Sequence, residues 1–105
     1  MALIKFSVFY PYEEGKHFDM DYYVNHHVSP TKDIHYIKKV CVERGISGIE
    51  SDMKPPFFCV SHLYYETMAD FEAEFLPSKA RLLDDVKNFT DVTPYFMIGE
   101  TTWEK

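Results

Sequence analysis

The chain is short of several things, and each shortage removes a class of function. It has no basic run. Lys38-Lys39 is its densest cationic cluster, and 11 Lys and Arg stand against 17 Asp and Glu for a formal net charge of −6. Nucleic-acid binding rests on neutralising phosphates, so no such partner is expected, and an anionic membrane surface is disfavoured for the same reason. Long apolar runs are missing too: the longest, such as FFCV and YFMI, fall far short of the roughly 20 residues that a membrane span needs. The opening MALIKF lacks the charged start and extended apolar stretch of a signal peptide, and a cytoplasmic location is expected. The only two cysteines, Cys41 and Cys59, sit singly in strand-like runs and read as buried thiols in a reducing compartment. No C-x-x-C or H-x-x-x-H pair suggests a metal site. Without a Gly-rich phosphate loop, nucleophile elbow or paired carboxylates, the expected cofactor set is none.

What the chain does have in quantity is aromatic residues. Its 105 residues suffice for a single domain, residues 1–105, with one modest core. Nine Phe, eight Tyr and one Trp are more than such a core needs, and each Tyr hydroxyl must find a polar neighbour. The surplus points to a pocket or a subunit interface.

Residues 3–10 (LIKFSVFY) alternate in polarity and predict a strand. Asp19 predicts a helix N-cap, followed by a stripe of Met20, Tyr23, Val24, His27 and Val28 at helical spacing. Pro30 interrupts this helix or starts its next turn, and residues 31–37 are expected to continue it. Further strands are predicted at 39–46, 57–65 and 93–103. Between the last two, Thr67 caps a helix that Pro77 should break, with another helical segment at 78–86 and a turn at 88–91. The order β-α-β-β-α-β is the ferredoxin-like split βαβ arrangement, an α+β fold. It has a four-stranded antiparallel sheet with both helical segments on one face.

Helices cover one face of such a sheet, and the other should then read polar. Instead Phe58, Val60 and Tyr64 alternate with Phe57, Cys59, Leu63 and Tyr65, and Tyr95 and Met97 oppose Phe96 and Ile98. Twofold pairing with a second copy would cover the second face; the alternative is a few solvent-exposed aromatics on an open face. A homodimer is expected.

Three segments carry a family resemblance. FDMDYYVNHH (residues 18–27) resembles the first-helix signature of EthD-like proteins; HLYYETMADFEAEF (62–75) and DDVKNFTDVTP (84–94) are similar to that family's second-helix entry and its D-x-x-N-[FY]-T-D-x-x-P stretch. Together they cover essentially the whole chain in the right order. The resemblance implies a dimeric α/β-barrel, two ferredoxin-like sheets face to face with the helices outside. EthD is named for ethyl tert-butyl ether degradation, where it accompanies a cytochrome-type monooxygenase system. The wider superfamily holds isomerases, cyclases and cofactor-independent monooxygenases, so the fold leaves the reaction open. The implied function is to bind, and in one reading convert, a small apolar and cyclic carbonyl compound without nucleotide or metal cofactor. The alternative is a non-catalytic accessory or carrier protein for a partner oxygenase. The family places Pro two residues after its helix His, whereas here Val28 and Ser29 separate His27 from Pro30.

His27 matches the family His and falls on the apolar stripe. It reads either as a general acid/base in a pocket between helix and sheet or as a core His satisfied by a hydroxyl or carbonyl. Tyr23, one turn earlier, is its candidate catalytic partner. Tyr22, His62, Phe58 and Tyr64 are candidate ligand-binding residues. His62 joins the site only if its sheet face looks at the helices; otherwise it belongs to the interface. His17, His26 and His35 read as solvated, and Asn88, Thr90 and Asp91 as turn and capping residues.

Overall fold

The computed structural model describes residues 3–105. Alternation in polarity produces β1 (Ile4–Pro11), which buries Ile4, Phe6, Val8 and Tyr10 on one face. Three more strands follow: β2 (Lys39–Arg44), β3 (Phe57–Tyr65) and β4 (Tyr95–Glu100). They form one antiparallel sheet in the order β2-β3-β1-β4. Each half of the chain therefore contributes one central and one edge strand, the ferredoxin-like topology.

Asp19 caps α1 (Met20–Tyr22), its side chain accepting from the Tyr22 N–H. The helix widens at once into a π-helical turn, Tyr23–Val28, and closes as a 3₁₀ turn, Ser29–Asp33. The Ser29 N–H reaches back to the Val24 carbonyl, an i→i−5 bond. Such a turn holds one residue more than an α-helical one, and the additional residue before Pro30 falls at its end. The helix expected to run through 37 stops instead at Ile34, whose backbone is extended.

The second helix corrects a stronger expectation. Pro77 does not break it: α2 runs unbroken from Met68 to Asp85, capped by Thr67, with Pro77 inside. Pro77 and Ala73, whose carbonyl loses its i+4 donor, are both exposed, so water can serve that carbonyl and the break is cheap to bridge. β2 ends two residues before the expected Ile46. The Gly45 N–H bonds the Phe58 carbonyl, and Gly45 lies so close to the Phe57 carbonyl and Pro55 that a Cβ has no room there.

Both helical arms lie on one face. Tyr23 from the first and Phe71 from α2 share a core with Phe6, Val8, Tyr10, Cys59 and Tyr65. The opposite face is less uniformly apolar than the alternation implied. Across it runs the row Met97, Ser7, His62, Cys41, in register. On this face Phe9, Val60 and Tyr64 lie on the central strands and Tyr95 and Met97 on β4, while Lys39 and Glu43 lie on β2 and Lys5 on β1 beside Gly99 of β4. A register shift at Tyr10/Pro11 also splits the expected pairing of faces. Phe57 packs on Phe9 of the open face, whereas Phe58 turns to Phe18 and Tyr12. Tyr95, Phe96, Met97 and Ile98 on the edge strand β4 are all exposed by about half.

Candidate functional site

The first helical arm is tied to the far end of the chain before it reaches the sheet. The Asp19 N–H donates to the Phe89 carbonyl at 2.7 Å, and Phe18 pairs with Thr90. Anchored there, the π turn carries Tyr23 and His27 inward on one side, with their rings stacked at 5.3 Å and 18°. Phe89, fully buried, closes the His27 ring edge-on at 4.9 Å.

His27 is not satisfied by a tyrosine or a carbonyl. Its Nδ1 lies 2.7 Å from Oδ2 of Asp85, the last residue of α2. A carboxylate at a helix C-terminus meets the negative end of the helix dipole, so it needs donors, and Asp85 has three. The Tyr22 hydroxyl and the Asn88 amide each donate to Oδ1 at 2.8 Å, and His27 donates to Oδ2. Burial pushes the Asp85 carboxyl up, but the hydrogen bonds from Asn88, His27 and Tyr22 outweigh it and bring the group down to about 2. Near neutral pH Asp85 is therefore an acceptor only, and Nδ1 must carry the proton it shares. That leaves Nε2 as the nitrogen without a hydrogen-bond partner among the described residues.

His27 lines a cavity of about 80 Å³ between the two helical arms and the sheet. Tyr10, Tyr23, Leu63, Phe75 and Leu82 supply apolar wall, with Glu74 and Arg81 from α2 as its charged members. The Tyr65 hydroxyl donates to Glu74 at 2.7 Å. Tyr23 is 2% exposed and its hydroxyl pairs with Ser61 Oγ at 2.6 Å, either oxygen donating. Burial pushes the Tyr23 phenol well above its usual range, as it does for Tyr10, so both remain neutral.

The other expected site residues divide. Tyr22 joins the constellation indirectly, through Asp85. His62 does not meet His27: it lies on the open face, its Nδ1 2.7 Å from the buried Ser7 hydroxyl and its Nε2 3.6 Å from Glu43. Tyr64 shares that face, with Lys39 Nζ 5.6 Å from its ring centroid. Phe58 stands with Phe18 and Tyr12, displaced from both groups by the register shift. Asn88, expected only to shape a turn, holds Asp85. Among the described residues no group of three or more His, Cys, Asp or Glu side chains is placed to hold a metal ion. Nor is any helix long and apolar enough to cross a membrane.

Asp85, Ser61 and Glu74 are the members that sequence reasoning did not single out. Asp85 left one trace: it lies three residues beyond Leu82 and beside Val86, at the margin of the stripe that α2 turns to the sheet. A carboxylate there calls for donors.

No family model matches the chain, and no curated protein does. Among solved structures it is similar to an EthD-like protein from Ralstonia eutropha JMP134. The two are 31% identical with a TM-score of 0.89, over 100% of this chain and 96% of that one. It is also similar to an ethyl tert-butyl ether (EthD) family protein from Bacillus halodurans C-125. There the identity is 17% and the TM-score 0.69, over 95% of this chain and 99% of that one, a likeness of fold alone.

Proposed function

The chain belongs to the EthD-like family, and from that premise we propose that it binds a small apolar carbonyl compound beside His27 and moves a proton on it. The observation that carries this reading is the 2.7 Å His27–Asp85 pair on the wall of an apolar cavity. Nε2 takes a proton from the carbon next to the carbonyl; Asp85 faces the imidazolium that forms and holds the ring in place. When Ser61 donates to Tyr23, the phenol proton is free to meet the substrate oxygen as negative charge grows there. Tyr22 and Asn88 are positioning residues, acting only through Asp85.

The working unit in this reading is a homodimer with the open sheet faces together. Tyr95 and Met97 of β4, exposed by about half on the open face, and the contact of Phe57 with Phe9 support it, since a monomer would leave them in water.

Titration with a small cyclic ketone such as cyclopentanone, followed by protein NMR, tests the site. Saturable shifts should centre on His27 and Tyr23. The His27→Gln variant should lose them while keeping its melting temperature within a few degrees of the parent. Binding that His27→Gln leaves intact would sink the assignment. Binding without turnover would favour the carrier reading of the same pocket.

A further inference from the structure

A hollow of about 510 Å³ lies where the β1–α1 and β2–β3 connections meet, against about 80 Å³ beside His27. The proton-transfer reading makes no use of it. We propose that it is a second binding site, for a flat apolar anion such as an aromatic carboxylate.

Three observations argue for this. The floor is aromatic: the Phe58 ring lies 4.9 Å from Tyr12 and stacks on Phe18 at 6.3 Å and 23°. Met20 and Met53 flank these rings and supply adaptable apolar wall. The rim is cationic. Arg44 and Lys54 line it with Asp52 as the only lining carboxylate, and neither cation enters any ion pair among the described residues. In a chain with a net charge of −6, a rim that sets two cations against one carboxylate is a local excess of positive charge. Finally, the base is fixed: Gly45 packs against the Phe57 carbonyl and Pro55 with no room for a Cβ, and the Tyr12 N–H bonds the Pro56 carbonyl at 3.0 Å.

Surface hollows beside long connections are commonplace, and the volume alone says little. Aromatic floor, unpaired cations and a pinned base together match what a small-molecule site needs: apolar walls and a few charges that set orientation. An aromatic ring would lie on Phe58 and Phe18, and its carboxylate would reach Arg44 in a bidentate pair or Lys54 as a point charge. Phe18 also separates this site from the His27 cavity, its ring 4.9 Å from Tyr10 and 5.1 Å from Tyr23. The proposal does not depend on His27 having any chemical role.

Methyl-¹³C methionine NMR reads the site directly, because Met20 and Met53 line it and Met68 and Met97 do not. The probes are 2-naphthoate and its neutral counterpart 2-naphthamide. Naphthoate should give saturable shifts at Met20 and Met53 with Met68 and Met97 unmoved. The double variant Arg44→Gln/Lys54→Gln should weaken naphthoate by about fivefold or more, the upper range of exposed ion pairs, and leave the amide unchanged. Unperturbed Met68 and Met97 signals in the variant confirm that it folds. The proposal is overturned by the absence of saturation at Met20 and Met53, by equal losses for acid and amide, or by shifts centred on Met97.

Discussion

At the scale of single residues, the chemistry rests on a contact that no local pattern announces. His27 could be picked out because a titratable side chain interrupts an apolar stripe. Asp85 could not, because it stands 58 residues away and meets His27 only once both arms pack on the sheet. The Tyr23–His27 stack was legible from the four-residue spacing, whereas the commitment of the Tyr23 hydroxyl to Ser61 was not. The Asp85 pair carries its own pH dependence. Its folded carboxyl titrates near 2 against an ordinary 3.8. A group lowered in the folded state stabilises it fully above the ordinary value and loses that contribution as pH falls through the folded one. Asp85→Asn removes this titration. Calorimetry should therefore show the widest gap in melting temperature between parent and variant near neutrality, narrowing as pH falls from 3.8 toward 2. A gap that does not change with pH would mean that the carboxylate is not held as described.

At the scale of elements, strands were easier to read than helices. β3 runs over the expected residues because its β-branched and aromatic run is bounded by Pro55-Pro56 on one side and the Thr67 cap on the other. The helices departed from expectation wherever local propensity met tertiary packing. Pro77 is a helix breaker by propensity, yet Phe71 and Phe75 before it and Leu82 after it all pack inward and hold α2 straight through. That continuity is what delivers Asp85 to His27. The π turn could not be foreseen either, since nothing in YVNHHV marks a widened turn; its effect is to aim Tyr23 and His27 together. If Pro77 is merely tolerated, Pro77→Ala restores a hydrogen bond to Ala73 and should raise stability by up to about 3 kcal/mol, read from urea unfolding. A loss of stability would show instead that the proline ring contributes packing that α2 needs.

At the scale of the whole molecule, the α+β topology followed from element order alone, and the resemblance in three segments led to the family. The open face is only partly apolar, because Lys5, Lys39, Glu43 and His62 occupy part of it. Pairing of two copies would therefore bury a mixed surface, with Phe9, Val60, Tyr64, Tyr95 and Met97 supplying most of the attraction. Sedimentation should give twice the chain mass at micromolar concentration. Met97→Asp, which sets an unpaired charge among those apolar side chains, should shift the protein to monomer or aggregate. A parent protein that sediments as a soluble monomer would remove the dimer while leaving the His27 site untouched.

Deuterium wash-in reads proton transfer at His27 most directly. Cyclopentanone incubated in D₂O exchanges its α-hydrogens slowly, and mass spectrometry follows the gain. The parent protein should accelerate exchange by about a hundredfold or more over buffer, the ordinary range for a positioned acid or base. His27→Gln should abolish that acceleration, and Asp85→Asn should cut it sharply. Equal exchange with parent, His27→Gln and buffer would contradict the role assigned to His27.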